Sequence, residues 1–241
     1  MDRMIYLAMS GAKATMQRQD IVAHNLANAS TTGFKAELAA FRAVPVVGQG
    51  ASTRAYTLES TPGYNPDAGP VQATGRNLDV AMQGKAWLAV QATDGTEAYT
   101  RAGHLQINAD GLLTTSSGLT VIGDGGPITM PANGEYAIGE DGTITAKVGS
   151  TGRPQQVGKL KLVTPEAPLT RGADGLMRAA EELPADPNAR LQDGALEGSN
   201  VSTIESMVAM ISAARQFEQQ MKMLQTAQDK EQAATKLLGA S

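Results

Sequence analysis

The sequence predicts an α+β protein, with long helices at both ends enclosing a middle that is almost entirely β. Three observations carry this. Apolar residues recur in alternating steps of three and four near each terminus. Asp-Gly and Asn-Gly pairs punctuate the middle between residues 94 and 142. Eight of the eleven methionines lie in the two end segments. With 241 residues the chain holds one or two domains and a sizeable core.

Residues 3–28 read as one helix. Ile5, Met9, Ala12, Met16, Gln19, Ala23 and Leu26 form a heptad seam with one polar member. At ~1.5 Å per residue this helix is about 40 Å long. Asn28 suits the helix end because Asn tolerates left-handed backbone. The hydroxyls of Ser30, Thr31 and Thr32 compete with helical hydrogen bonds, Gly33 permits a turn, and Phe34 offers an apolar anchor beyond it. Residues 37–74 read as an extended arm or loose hairpin. Phe41, Val44, Val46 and Val47 are apolar, but Pro45, Gly48, Gly50, Pro62, Gly63, Pro66, Gly69 and Pro70 interrupt any long element. A short strand fits Arg54–Leu58.

Residues 75–165 read as antiparallel β. Leu78–Val80 and Trp87–Val90 are strand-like, and hairpin turns are expected at Asp94-Gly95, Asp110-Gly111, Asp124-Gly125, Asn133-Gly134 and Asp141-Gly142. Gln156–Val163 alternates with period two and reads as a further strand. The turn spacing suggests an antiparallel sandwich or barrel-like body. Residues 164–199, rich in Pro, form a return arm with short strands at best. A second long helix then spans 202–238, started by Ser202 and Glu205 at capping-box spacing. Its stripe runs Met207, Met210, Ala214, Phe217, Met221, Leu224, Gln228, Glu231, Thr235 and Leu238, widened in the first half by Ile204, Val208 and Ile211. The expected division is a discontinuous helical domain of residues 1–36 and 200–241, an arm at 37–74, and a β domain at 75–199. A hairpin of two such helices leaves apolar stripes in water, which marks an interaction surface. The expected assembly residues are therefore Ile5, Met9, Ala12, Met16, Ala23, Leu26, Met207, Met210, Ala214, Phe217, Met221 and Leu224.

The composition argues against several function classes. There is no Cys, so disulfides and thiol catalysis are excluded, and the two His, His24 and His104, are far apart in sequence. A net charge of −4 argues against a nucleic-acid binder. No apolar run is long enough to span a membrane, and the N-terminus lacks the pattern of a cleaved secretory signal. No phosphate-binding glycine loop or zinc-protease motif occurs, and Asn108-Ala-Asp-Gly111 reads as a hairpin turn rather than a calcium loop. Asp79 stands without a second acid in its segment. No catalytic, cofactor or metal residues are expected, and no cofactor.

Three separated blocks resemble the bacterial flagellar rod and hook proteins. They are Asn25–Lys35; Gly75–Gly84 with Trp87–Val90 and Tyr99–Gly103; and Leu196–Val201 with Glu205–Val208, Ile211, Arg215, Phe217-Glu218 and Lys222. Met1–Ala12 and Gly84–Gln91 look most like the proximal-rod branch of that family, with the distal-rod protein FlgG as the alternative. Ala86 departs from the family, which commonly has Gly there.

The resemblance implies that the terminal helices form an inner coiled coil with the β domain outside. It implies a structural, non-enzymatic subunit of the hollow periplasmic rod that transmits torque and conducts exported subunits. The implied partners are FlgB-, FlgC- and FlgG-like rod proteins, copies of the same chain, and the flagellar type III export apparatus, with no nucleic acid and no membrane insertion. The implied location is the basal body, reached without signal cleavage. The joint between helices and β domain is expected at Asn25, Leu26, Asn28, Gly33, Phe34, Ser199, Asn200 and Val201. From another class, a β-sandwich adhesin or carbohydrate-binding module on a coiled-coil stalk is the alternative. It calls for an exposed aromatic row, and Trp87, Tyr99 and Tyr136 are few and scattered.

Overall fold

The structure is a computed structural model, which describes residues 2–45, 55–132, 134–149 and 152–239. Val46, Val47, Gly48, Gly50, Arg54 and Asn133, all used above, lie outside the described residues, as does the side chain of Phe41. The elements are α1 (Asp2–Ala27), β1 (Glu37–Pro45), β2 (Ala55–Tyr64), β3 (Val71–Ala73), β4 (Val80–Met82), β5 (Trp87–Gln91), β6 (Glu97–Thr100), β7 (Leu105–Ile107), β8 (Leu113–Thr115) and β9 (Thr120–Gly123). They continue with β10 (Gly126–Pro127), β11 (Gly134–Ile138), β12 (Thr143–Val148), β13 (Gln155–Lys159), β14 (Leu162–Val163), β15 (Thr170–Arg171), β16 (Met177–Arg178), β17 (Leu191–Asp193), β18 (Ala195–Glu197) and α2 (Thr203–Gly239). The fold is α+β, a helix at each end of a β-rich middle.

The chain divides into two compact units. One comprises Met1–Ala29, Ala36–Asn65 and Val201–Ser241; the other comprises Ser30–Lys35 and Pro66–Asn200. This differs from the sequence reading in two places. Ser30–Lys35 packs with the β unit rather than with the helices. The first part of the expected arm belongs to the helical unit, because β1 and β2 pair antiparallel from Glu37↔Tyr64 to Pro45↔Ala55. Proline was read as a breaker, yet Pro62 and Gly63 sit inside β2. In a two-stranded ribbon each strand is an edge, where a missing N–H costs little.

In the helical unit α1 packs against α2, and the β1–β2 hairpin packs on α1. The cap of α2 forms as its sequence suggests: Ser202 Oγ accepts the Glu205 amide at 3.3 Å. The seam between the helices differs from the expected one. Ala8, Ala12 and Thr15 of α1 and Ala213 and Ala227 of α2 are buried, with Val22, Ser206 and Gln220 half-buried on the same lines. Numbered as a heptad, Ile5, Ala12, Gln19, Leu26 and Met210, Phe217, Leu224 share position a, and all are buried or half-buried. Position d is held by Ala8, Thr15, Val22 and by Ser206, Ala213, Gln220, Ala227.

The methionines expected there stand one residue on, at position e. Both sets complete a heptad with the same a residues, so periodicity alone does not separate them. Size does: small d residues let the helices approach closely. A Cβ on Gly11 would stand 3.1 Å from the Gln220 amide, and Thr15 satisfies its hydroxyl on the Gly11 carbonyl at 2.8 Å.

In the β unit a nine-stranded sheet runs β15-β16-β6-β5-β9-β8-β7, with β10 on β9 and β14 on β5. A three-stranded sheet, β11-β12-β13, supplies Ile138 and Ile144 to the same core as Leu88, Val90, Leu105, Leu113 and Val121. All four Asp-Gly pairs expected at hairpins join neighbouring strands: β5–β6, β7–β8, β9–β10 and β11–β12. Gly134 instead opens β11.

The strand expected at Gln156–Val163 is split. β13 pairs with β12, then β14 pairs with β5, and buried Leu160 at the switch bridges to Gly123. The expected return arm is woven in: β17 pairs with β4 and β18 with β3.

Candidate assembly site and its buried ion cluster

The segment that follows α1 is built from the sequence outward. After α1, the Asn28 side chain closes the helix end by donating to the His24 carbonyl at 2.9 Å. Within the helical unit, Asn25 pins the start of β1: its amide donates to the Glu37 carbonyl at 2.9 Å and its oxygen accepts the Glu37 amide at 2.8 Å. Thr31–Phe34 then turns, with Gly33 at φ 70° and its amide on the Glu197 carbonyl at 2.7 Å. A Cβ on Gly33 would fall 2.2 Å from the Arg101 carbonyl carbon, so both conformation and space call for glycine. Phe34 is buried, with the Arg171 guanidinium 4.6 Å above its ring.

Beyond Phe34 lies the β unit's most buried charge cluster. Lys35, Arg101 and Glu197 have side chains 2%, 2% and 1% exposed. Glu197 Oε1 accepts from Lys35 Nζ at 2.7 Å and from the Gly69 amide at 2.9 Å. Glu197 Oε2 accepts from Arg101 Nε at 2.6 Å. Arg101 also donates to the carbonyls of Gly84 and Ala86 at 2.9 Å and of Met82 at 2.7 Å. Lys35 Nζ reaches the Asp67 carbonyl at 2.6 Å, and Asn200 Nδ2 reaches the same carbonyl at 2.9 Å.

One carboxylate thus joins the segment leaving α1, the sheet, and the segment returning to α2. Burial pulls the Glu197 carboxyl upward, but Lys35, Arg101 and the Gly69 amide together hold it below its ordinary value. Burial pushes the Lys35 ammonium down, and Arg101 adds to this against the pull of Glu197.

Sequence reasoning singled out Gly33, Phe34, Ser199 and Asn200 here but missed the ion cluster. A signal was present: each of the three motif blocks contributes one member, Lys35, Arg101 and Glu197. The Asp79–His104 pair was also missed. Asp79, read as an acid without a partner, is buried. It accepts from Thr74 Oγ1 at 2.8 Å and lies 2.9 Å from His104 Nδ1, across an isolated β-bridge. Among the described residues no three His, Asp or Glu side chains converge to hold a metal ion. The hollow beside the cluster, lined by Thr31, Phe34, Trp87, Arg101 and Arg171, holds about 110 Å³, well below the usual ligand-site range of roughly 300–1,000 Å³.

The expected assembly residues divide by accessibility. Met9, Met16, Met207 and Met221 are 53%, 56%, 51% and 40% exposed, and Ala23 is exposed too. Ile5, Leu26, Met210, Ala214, Phe217 and Leu224 are half-buried, and Ala12 is buried. Of the expected joint residues, Phe34 and Ser199 are buried, while Asn25, Asn28, Gly33, Asn200 and Val201 are half-buried. Met9, Met16, Met207 and Met221 are therefore only partly covered within the chain. They form an apolar surface on its helices.

Comparison with known proteins matches three regions. Residues 5–35 match the family profile described as flagella basal body rod protein. Residues 81–146 match the flagellar hook protein FlgE/F/G D1 domain. Residues 192–237 match the C-terminal region of flagellar basal body rod FlgEFG proteins. Over the full length of both chains the sequence is 46% identical to the flagellar basal-body rod protein FlgF of Salmonella typhimurium. The chain belongs to the flagellar basal-body rod protein family. The FlgF of Escherichia coli is 45% identical, again over both full lengths. The flagellar basal-body rod protein FlgG of Agrobacterium fabrum is 30% identical over 94% of this chain and 96% of its own. The ion cluster draws its three members from within or beside these matched regions: Lys35 closes the first, Arg101 lies in the second, and Glu197 lies in the third.

Proposed function

We propose that this rod-family chain is a structural subunit of the flagellar proximal rod, packed helically into the hollow periplasmic shaft that carries torque and conducts exported subunits. The observation that supports it most is full-length identity of 46% to a FlgF, against 30% to a FlgG. The exposed methionine stripes on both helices fit that role, since a monomer gains nothing from holding them in water. In this reading the terminal helices form a coiled-coil inner part, and the β unit is the sandwich-like outer body. Neighbours are FlgB-, FlgC- and FlgG-like proteins and other copies. The chain travels unfolded through the flagellar type III apparatus without signal cleavage, and no catalysis is assigned to it. Among the described residues no helix is long and apolar enough to cross a membrane.

Each buried methylene contributes about 0.8 kcal/mol, so many small contacts sum to a stiff tube. The test is complementation of a strain lacking its own FlgF with the full-length chain carrying Met16→Asp or Met221→Asp. Loss of basal-body rods and of swimming, with unchanged melting of the purified chain, is expected. Normal swimming with both variants refutes the reading.

A further inference from the structure

We infer that a pocket on the β unit binds a primary ammonium group, of the kind carried by a lysine side chain or a free alkylamine. The site lies within one compact unit and does not depend on the rod reading.

The pocket lies where the β5–β6 hairpin meets the segment leaving β16. Asp94, Glu97 and Tyr99 line it from the hairpin, and residues 178–182 line it from that segment. Two contacts hold these parts together: Met177 pairs with Tyr99, and the Leu183 amide donates to the Tyr99 hydroxyl at 2.9 Å. The pocket holds about 310 Å³, at the small end of the usual ligand-site range of roughly 300–1,000 Å³.

Its charge is lopsided. The carboxylates of Asp94, Glu97, Glu181 and Glu182 line it against a single cation, Arg178. Arg178 is already engaged, donating to Asp174 Oδ1 and Oδ2 at 2.8 Å each and to Asp94 Oδ2 at 3.2 Å.

Glu97 points to a ligand. Its side chain is 8% exposed. Oε2 accepts from Lys161 Nζ at 2.8 Å, but Oε1 is buried and has no hydrogen-bond partner. The Tyr99 hydroxyl is a neighbour that meets the carboxylate outside hydrogen-bond geometry. Burial, with Glu97 beside it, raises that hydroxyl to about 12, so it stays neutral. A buried charged acceptor without a donor is costly, and native structures rarely leave one. A donor entering the pocket relieves it, and the surrounding carboxylates favour a cation.

The chemistry narrows that cation. Among the described residues the carboxylates do not converge as a metal ion requires. A guanidinium binds best by forking across both oxygens of one carboxylate, and Lys161 already holds one of them. An ammonium is compact and donates in three directions, so it serves Oε1 alone.

Amide shifts of the isotope-labelled full-length chain read binding. Three probes are titrated: cadaverine, Nα-acetyl-lysine methylamide and Nα-acetyl-arginine methylamide. Both amines should shift Glu97 and residues 179–182 and saturate, while the arginine probe binds about tenfold more weakly. Glu97→Gln should weaken the amines by about tenfold or more. That change also strands Lys161, so Glu181→Gln combined with Glu182→Gln, both at exposed positions, supplies a second reading: about threefold weaker binding with unchanged melting. Saturation by the lysine probe assigns the site to a side chain of another protein. Saturation by cadaverine alone keeps the site and assigns it to a free amine. No shift with any probe, equal binding of the arginine probe, or unchanged affinity in both variants overturns the ammonium site.

Discussion

Replacing Glu197 with Gln removes the negative charge that faces both Lys35 and Arg101. The wild-type carboxylate accepts three hydrogen bonds, at 2.7, 2.6 and 2.9 Å, from Lys35 Nζ, Arg101 Nε and the Gly69 amide. Gln keeps one acceptor oxygen but turns an N–H against a donor, and it leaves two buried cations facing each other. Breaking one partner of a buried ion pair costs about 3–5 kcal/mol, against about 5–15 kcal/mol for a whole domain. At roughly 2–4 °C per kcal/mol for a chain of this size, the melting temperature should fall by roughly 6–20 °C. Urea unfolding of the purified chain, followed by the β signal in circular dichroism, reads the change directly. Lys35→Met added to Glu197→Gln should recover part of the loss, because it removes one of the stranded charges. A loss below about 1 kcal/mol for Glu197→Gln, or simple additivity of the two changes, refutes the claim that the cluster stabilises the β unit.

The same carboxylate sets an acid limit. Its folded value lies below the unfolded 4.5, so its contribution is complete above pH 4.5 and drains as pH falls through the folded value. Urea midpoints measured between neutral and acid pH should drop less in Glu197→Gln than in wild type. The slope should shrink rather than vanish, because Asp94 and Asp141, held low by hydrogen bonds from Thr96 and Thr143, share this range. An identical slope in the variant sinks the assignment. Gly33→Ala should cost more than about 1 kcal/mol, through the positive φ and the clash with the Arg101 backbone; an unchanged unfolding midpoint counts against it. Ala12→Leu should overpack the helix seam and cost about 1–3 kcal/mol, whereas Met16→Leu, one residue past Thr15 and outside the seam, should leave the monomer's helix signal and melting unchanged. Equal effects of the two would restore the seam expected from the sequence.

The terminal helices, the Asp-Gly hairpins and the family were legible along the chain, because each rests on local signals: period, turn chemistry and short motifs. So was the α1 stop, where Asn28 caps and Gly33 turns. Packing chose which of two overlapping heptads turns inward, where the sequence reading had passed over Ala and Thr at d for the more apolar Met at e. Helix approach, which favours small side chains, outweighed side-chain hydrophobicity. Tertiary structure also gave Ser30–Lys35 to the β unit. Lys35 lies 162 residues from Glu197 in sequence, and no local pattern announces a pair at that separation. What binds them is burial: a charge taken out of water must find its opposite, and the fold brings the three charges together.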